Sequence, residues 1–221
     1  MQSPTQSFVA FAFAVLLGTA ISLSTAVAAT SPVVPQEGFD YLVLDSPQPT
    51  KAGGKIEVIE FFWYDCPHCG VMAPLIEPWA KRHRNSIVFK RVPVARNEGA
   101  ILQQRLYYAL EALGKVEALH SWIFYAIHDE KISLKTVEQM ADFLEEQGVG
   151  KKQFLKTINS EAVLKKVQRA QKLAAAYGVD AVPTIAINGR YVTSATMIGG
   201  NQADVLPVVD YLIAKSKRRL P

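Results

Sequence analysis

Apolar positions alternate along the chain between short dense runs and longer amphipathic stretches, a pattern typical of a protein that mixes strands with helices. Residues 56–63, IEVIEFFW, are rich in β-branched and aromatic side chains and predict a buried strand. Residues 87–92 predict a second strand, and residues 41–44 a short edge strand. A helix is expected over about residues 67–84, because Pro67 suits the first helical turn, where its missing N–H is not needed. Strand, helix and strand in this order favour a parallel crossover connection.

The middle of the chain has helical rather than strand periodicity, and we interpret it as a helical insertion over about residues 97–160. Glycines separate its amphipathic segments, and Ser133 is expected to cap the third of them at its N-terminus. A longer amphipathic stretch, residues 161–177, follows, and Gly178 suits the position after its end. The helices predicted within the insertion cover residues 100–113, 116–127, 135–147 and 151–157.

The C-terminal part of the chain returns to strands. Residues 184–187 predict a strand, and Asn188-Gly189 is a strong signal for a type I′ hairpin turn. Residues 190–193 are then the return strand, and residues 204–216 a last helix. The complete pattern predicts an α/β protein with a helical middle.

The N-terminus is predicted to be a secretory signal peptide of residues 1–29. Residues 8–17 form a continuous apolar run, and the first charged side chain is Glu37. The small residues at its end fit a cleavage site after Ala28 or Ala29. An uncleaved membrane anchor is the alternative, because residues 8–29 together are just long enough to span a bilayer.

Composition places the chain among ordinary globular proteins. It has 221 residues, 49% of them hydrophobic and 20% charged, which excludes a disordered or collagen-like chain. Residues 30–221 are enough for one domain. The formal net charge of +4, spread over 221 residues, produces an electrostatic potential too weak to imply nucleic acid as a partner. Two cysteines, Cys66 and Cys69, are too few for a scaffold of several disulfides or a four-cysteine metal site.

The candidate chemistry lies in Cys66-Pro67-His68-Cys69, at the start of the first predicted helix. Free backbone N–H groups and the helix dipole favour negative charge there, so the pKa of Cys66 is expected to fall below its ordinary value. Cys66 is therefore the candidate nucleophile, and Cys69, one turn deeper on the same face, the resolving thiol. Pro67 starts the helix, and His68 adds a donor. A stabilised thiolate favours the reduced pair, which makes the disulfide the stronger oxidant.

Two other interpretations of the cysteine pair have less support. A structural disulfide would close too small a loop to stabilise the fold much. A zinc site would need further ligands, and His83, His120 and His128 show no ligand spacing. We therefore expect no metal, and no cofactor beyond the redox-active pair Cys66 and Cys69.

A proline and a carboxylate complete the candidate site. Val182-Pro183 stands between a short loop and a strand and is a candidate cis peptide, with an ordinary trans turn as the alternative.

Glu60 interrupts the buried strand six residues before the first cysteine. Burial would raise its pKa and suit it to relay protons for Cys69. A structural ion pair with Lys90 or Arg91 on the next strand is the alternative, and the two roles can coexist.

These motifs make the chain resemble the DsbA family of thiol:disulfide interchange proteins, within the thioredoxin superfamily. The resemblance covers essentially all of residues 30–221 and rests on Cys-Pro-His-Cys, on Val182 before Pro183, on Asn-Gly in the hairpin and on Glu60 before two phenylalanines. It implies a thioredoxin-like fold with a helical insertion. It also implies a periplasmic oxidase, expected to be a monomer, that donates its disulfide to reduced exported polypeptides. Reoxidation by a quinone-linked inner-membrane oxidase of the DsbB type and substrate binding at Val182 and Pro183, beside the cysteines, are implied as well.

Two residues depart from the pattern of that family. Asp65 places a carboxylate beside Cys66, which would raise the pKa of the thiol and moderate its oxidising power. Gly70 stands where a bulkier side chain is expected.

Two other functions stay open at this point. A disulfide isomerase or reductant on the same fold usually needs a dimerisation domain, for which this length leaves no room. A metal carrier or peptide-binding chaperone would be favoured by stoichiometric metal in the reduced protein.

Overall fold

Five strands form one mixed sheet in the part of the chain that the computed structural model describes, residues 34–218. The strand order is β1-β5-β4-β2-β3, with β2 and β3 parallel and the other neighbours antiparallel. The short edge strand and the parallel crossover are therefore confirmed. The predicted signal peptide, residues 1–29, lies outside the described residues. The strands are β1 Leu42–Val43, β2 Ile56–Phe62, β3 Ile87–Pro93, β4 Thr184–Ile187 and β5 Tyr191–Thr193.

Seven α-helices accompany this sheet within residues 34–218, and five of them lie between β3 and β4. The cap predicted at Ser133 is wrong. Thr136 caps the fourth helix instead, because its hydroxyl and the Gln139 side chain form a reciprocal capping box. None of these helices has both the length and the apolar character needed to cross a bilayer. The helices are α1 Pro67–His83, α2 Glu98–Ala112, α3 Val116–His128, α4 Val137–Glu146, α5 Lys151–Ile158, α6 Glu161–Ala176 and α7 Val205–Lys217.

Side-chain alternation along the central strands builds a hydrophobic core on each face of the sheet. Val58 of β2 and Ile185 of β4 point toward α1 and α7, where Trp79 is buried. Ile59 and Ala186, the next residues along each strand, pack instead against the helices between β3 and β4. Every residue of β2 is buried, which explains why its pattern is a continuous apolar run rather than an alternation.

The predicted hairpin between β4 and β5 is confirmed. Asn188 and Gly189 have φ angles of 51° and 65°, the left-handed values that a type I′ turn requires at both central positions. A Cβ atom at Gly189 would lie 2.0 Å from the carbonyl oxygen of Gln48, so only glycine fits this turn.

Candidate active site at the cysteine pair

Cys66 is the N-cap residue of α1 and lies four residues after the end of β2, the strand between β4 and β3. Its backbone is extended, and Pro67 occupies the first helical position, as predicted. Cys66 is 8% exposed and Cys69 is fully buried, so the first thiol is the more accessible of the two. Both cysteines are unbonded thiols in this structure. An incoming sulfur atom therefore reaches Cys66 first.

The surroundings shift the pKa values of the two thiols in opposite directions. The pKa of Cys66 is lowered to about 6, chiefly because the Cys69 side chain donates a hydrogen bond to it, aided by the backbone N–H groups of Cys69 and His68 and by the His68 charge. Burial opposes this shift. The pKa of Cys69 is raised far above its ordinary value, first by burial and then by its interaction with Cys66. Cys66 is thus a thiolate at neutral pH and Cys69 a thiol.

A titration of the reduced protein should show this division. We expect thiolate absorbance to rise with a midpoint near pH 6, from Cys66 alone. His68→Ala should move the midpoint upward only modestly, because the imidazole charge is the smallest of the named causes and the backbone donor stays. Cys69→Ala should move it further, because it removes the largest cause. A larger shift in His68→Ala than in Cys69→Ala would contradict this ranking.

The loop before β4 lies against the reactive sulfur. The Val182–Pro183 peptide bond is cis, as predicted from the sequence. The Sγ atom of Cys66 lies 3.4 Å from the carbonyl oxygen of Val182, although 116 positions separate the two residues. Among the described residues, Val182 makes no backbone–backbone hydrogen bond, and its carbonyl oxygen accepts only from the Cys66 thiol, which has no proton to donate once it forms a disulfide.

Glu60 is completely buried in β2, the strand that precedes the cysteine pair. Burial raises the pKa of its carboxyl group to about 7, whereas Arg91 opposes the shift. The Nε atom of Arg91 lies 3.6 Å from the carboxylate, so the ion pair expected with Arg91 is present, and the proton relay stays a prediction. Lys90 pairs with Glu57 instead. The charge of Glu60 is the last of the named causes that raise the pKa of Cys69.

A cleft of about 510 Å³ opens beside Cys66, between the loop before β4 and the end of α6. Its walls are largely apolar, and charged side chains stand among them at three positions. A cleft of this size and character suits an unfolded peptide segment. The apolar walls are Trp63, Val94, Ala174, Ala175, Val179 and Val182, and the charged side chains are Asp65, Arg96 and Asp180.

Two residues of the helical region form hydrogen bonds with the segment before Cys66, and neither residue was identified as a site residue from the sequence. Gln103 of α2 donates to the Asp65 carboxylate at 2.7 Å and accepts from its backbone N–H at 3.2 Å. His128 of α3 donates from Nε2 to the carbonyl oxygen of Tyr64 at 2.7 Å. Cys69, burial and His68 are the named causes that shift the Cys66 pKa, and the moderating effect expected of Asp65 stays a prediction. No local signal marks Gln103 or His128, because each acts across more than 35 positions.

Comparison with known proteins places the site in a family. Residues 57–206 match the family described as DSBA-like thioredoxin domain. A thiol:disulfide interchange protein DsbA from Burkholderia cepacia is 46% identical over 174 residues, which cover 78% of this chain and 82% of the relative. The DsbA of Bordetella parapertussis is 40% identical over 204 residues, or 90% of this chain and 97% of the relative.

Solved structures agree with this match. The crystal structure of Pseudomonas aeruginosa DsbA superposes with a TM-score of 0.79 at 40% identity and covers 83% of this chain and 95% of its own. That of Xylella fastidiosa DsbA has a TM-score of 0.78 at 30% identity and covers 84% and 99%. These similarities confirm the predicted thioredoxin-like α/β fold.

Proposed function

We propose that this chain, which belongs to the family of DSBA-like thioredoxin domains, is a thiol:disulfide oxidoreductase that introduces disulfide bonds into other polypeptides. The observation that carries the proposal is the opposite shift of the two thiol pKa values at the start of α1. A thiolate at Cys66 stabilises the reduced pair, and whatever stabilises the reduced pair makes the disulfide a stronger oxidant.

The first half of the reaction converts the Cys66–Cys69 disulfide into a mixed disulfide between Cys66 and the substrate. A substrate thiolate attacks Sγ of Cys66, the bond between Cys66 and Cys69 breaks, and the electron pair leaves on Cys69. That sulfur is a poor leaving group unless it is protonated, because its pKa is strongly raised. Glu60, whose pKa of about 7 leaves it partly protonated at neutral pH, is the group we assign to supply this proton.

The second half releases an oxidised product. A second substrate thiolate attacks the substrate sulfur of the mixed disulfide, and Cys66 leaves as a thiolate, which its pKa of about 6 favours. The substrate gains one disulfide, and the protein takes up two electrons. Cys69 stays protonated meanwhile, which suppresses its attack on Cys66 and the return of the substrate unoxidised.

The remaining roles follow from the same site. When Cys66 is bonded to the substrate and no longer donates to Val182, the bound peptide pairs with the backbone groups of Val182 beside Pro183, as a short added strand next to β4. Pro67 and His68 shape the helix start that lowers the Cys66 pKa. The cysteine pair works without a metal or another cofactor.

We also propose the location and partners of the protein. Residues 1–29 direct export to the periplasm and are removed after Ala28 or Ala29. The protein acts there as a monomer on reduced exported polypeptides, and a quinone-linked membrane oxidase of the DsbB type restores the Cys66–Cys69 disulfide. No nucleic acid takes part.

Mixing the oxidised protein with an equimolar reduced peptide that has two cysteines tests the proposed function. We expect most of the disulfide to move to the peptide at pH 7, because the thiolate at Cys66 stabilises the reduced protein. Mass spectrometry after acid quenching measures both products. If the disulfide stays on the protein, the chain is a reductant rather than an oxidase. The equilibrium with glutathione then gives the reduction potential, which should rise by roughly 30 mV for each unit by which the Cys66 pKa is lowered below the ambient pH.

A further inference from the structure

We propose that a second pocket beside the cysteine pair binds an apolar side chain of the substrate, two residues from the reacting cysteine. The proposal rests on the proposed function and adds a specificity site to it. The pocket has a volume of about 450 Å³ and lies between α1 and α3. We call it the Gly70 pocket, and it is defined by Pro67, Gly70, Val71 and Pro74 of α1 with Phe124 and Tyr125 of α3.

Residue spacing explains why these two helices form a pocket. The α1 residues stand three or four positions apart, which places them on one face of that helix. Phe124 and Tyr125 lie likewise on the α3 face that meets α1. Gly70 lets the α3 rings approach α1 closely, since a Cβ atom there would lie 3.1 Å from the His128 ring and 3.6 Å from that of Phe124. A larger residue at position 70 would push these rings away from α1 and so change the shape of the pocket.

The rim of the Gly70 pocket is apolar and exposed. Val71 is 56% exposed and Tyr125 44% exposed. The Tyr125 ring stacks on Trp122 at a centroid distance of 5.1 Å and an angle of 24°, so this wall is held in place. Covering such a surface with another apolar group is favourable in proportion to the area removed from water. Three polar residues also line the pocket, Ser121 and His128 of α3 and Asp129, which follows the end of that helix.

The position of the Gly70 pocket next to the cysteine pair identifies the group that occupies the pocket. Pro67, the neighbour of Cys66, borders both the cleft beside Cys66 and the Gly70 pocket. A polypeptide bonded to Cys66 that leaves the cleft on the α3 side must therefore pass over Pro67. An extended chain advances about 3.3 Å per residue and turns alternate side chains to the same face. The residue two positions from the reacting cysteine then lies about 7 Å away and faces the same surface as the cysteine itself.

Three reduced single-cysteine peptides test the proposal. One has leucine two residues before the cysteine, one has leucine two residues after it, and the reference has serine at both positions. The measurement is the second-order rate constant with the oxidised protein. For one of the two leucine peptides we expect a rate about fivefold above the reference, the advantage of partly burying one leucine. Tyr125→Ser should reduce that ratio to about one, and Val71→Ser should lower it from the α1 side.

Leu164→Ser is the matched control, because Leu164 is 42% exposed on α6 and lies away from both pockets. It should leave the ratio unchanged. The reaction of the oxidised wild-type protein with reduced glutathione tests the proposed function separately. If glutathione does not reduce the protein, the oxidase function is contradicted, whereas the pocket is tested by the ratio of peptide rates.

Several results would contradict the proposal that the Gly70 pocket binds a substrate side chain. One is a leucine preference that survives both Tyr125→Ser and Val71→Ser, and another is no preference for either leucine peptide. A third is an unchanged ratio in Tyr125→Ser combined with slower reoxidation by membrane vesicles, because the face would then receive the membrane oxidase. An unchanged ratio combined with loss of a dimer in sedimentation would assign the face to a second copy of the chain.

Discussion

Cys66→Ser is expected to abolish oxidation of a reduced peptide, whereas Cys69→Ser is expected to trap peptides on the protein. The first change removes the sulfur atom that accepts the incoming thiolate, and we expect the rate to fall by at least about a thousandfold, as is usual for loss of a nucleophile. The second change keeps Cys66 but removes the thiol that closes the pair, so this variant holds no disulfide to donate. When its Cys66 thiolate attacks the disulfide of an oxidised peptide, one peptide sulfur leaves as a thiol. The mixed disulfide through Cys66 should then persist, because no Cys69 thiol displaces the peptide, and it should be visible as a thiol-sensitive band of higher mass.

Alkylation of the reduced wild-type protein provides the control for these roles. At pH 6, iodoacetamide should label Cys66 and leave Cys69 unmodified, because only the pKa of Cys66 lies near this pH and Cys69 is buried. Labelling of Cys69 ahead of Cys66, measured by peptide mass spectrometry, would reverse the assignment.

Glu60→Gln is expected to remove a pH-dependent loss of stability. The pKa of Glu60 is raised from 4.5 to about 7 on folding, so the unfolded chain loses this proton at lower pH than the folded protein. The contribution of Glu60 to the free energy of unfolding is therefore greatest below pH 4.5, declines between pH 4.5 and 7, and is lowest above pH 7. A difference of this size corresponds to about 3 kcal/mol in the free energy of unfolding.

Urea unfolding between pH 4.5 and 8, followed by tryptophan fluorescence, measures the effect. The oxidised protein is used, so that neither thiol titrates. The wild-type protein should lose stability over this range relative to Glu60→Gln. Glu117→Gln is the matched control, because Glu117 is the exposed carboxylate that shares Arg91 with Glu60. The free energy of unfolding of Glu117→Gln should decline over this pH range as that of the wild type does. Parallel pH profiles for the wild type and Glu60→Gln would show that Glu60 is not the titrating group.

Glu60 also shows how chemistry and stability are balanced at this site. A buried carboxyl group with a pKa near 7 costs stability at neutral pH, yet the same shift suits it to the proton relay to Cys69 that we propose. In Glu60→Gln we therefore expect a more stable protein that forms the mixed disulfide more slowly. The two effects come from one physical cause, the burial of the carboxyl group in β2.

Local patterns in the sequence were sufficient for the elements that local interactions build. The strand over residues 56–63 and the Asn188-Gly189 turn follow from side-chain type and backbone preference, and both are present. The placement of Cys66 at the N-terminus of α1 needed only Pro67 and the end of the preceding strand. The cap at Ser133 failed because a serine three residues away from a better capping box competes poorly with it.

The tertiary structure alone decided the contacts that complete the site. It places Val182 3.4 Å from the Cys66 sulfur across 116 positions, and Gln103 against Asp65 across 38. No local preference encodes such pairs, because they arise only when the sheet and the helices pack together. The raised pKa of Glu60 likewise depends on how completely the surrounding helices exclude water. The sequence by itself thus determined the elements and the reactive pair, through interactions between near neighbours. Packing determined the partners, the protonation states and the pocket that opens at Gly70.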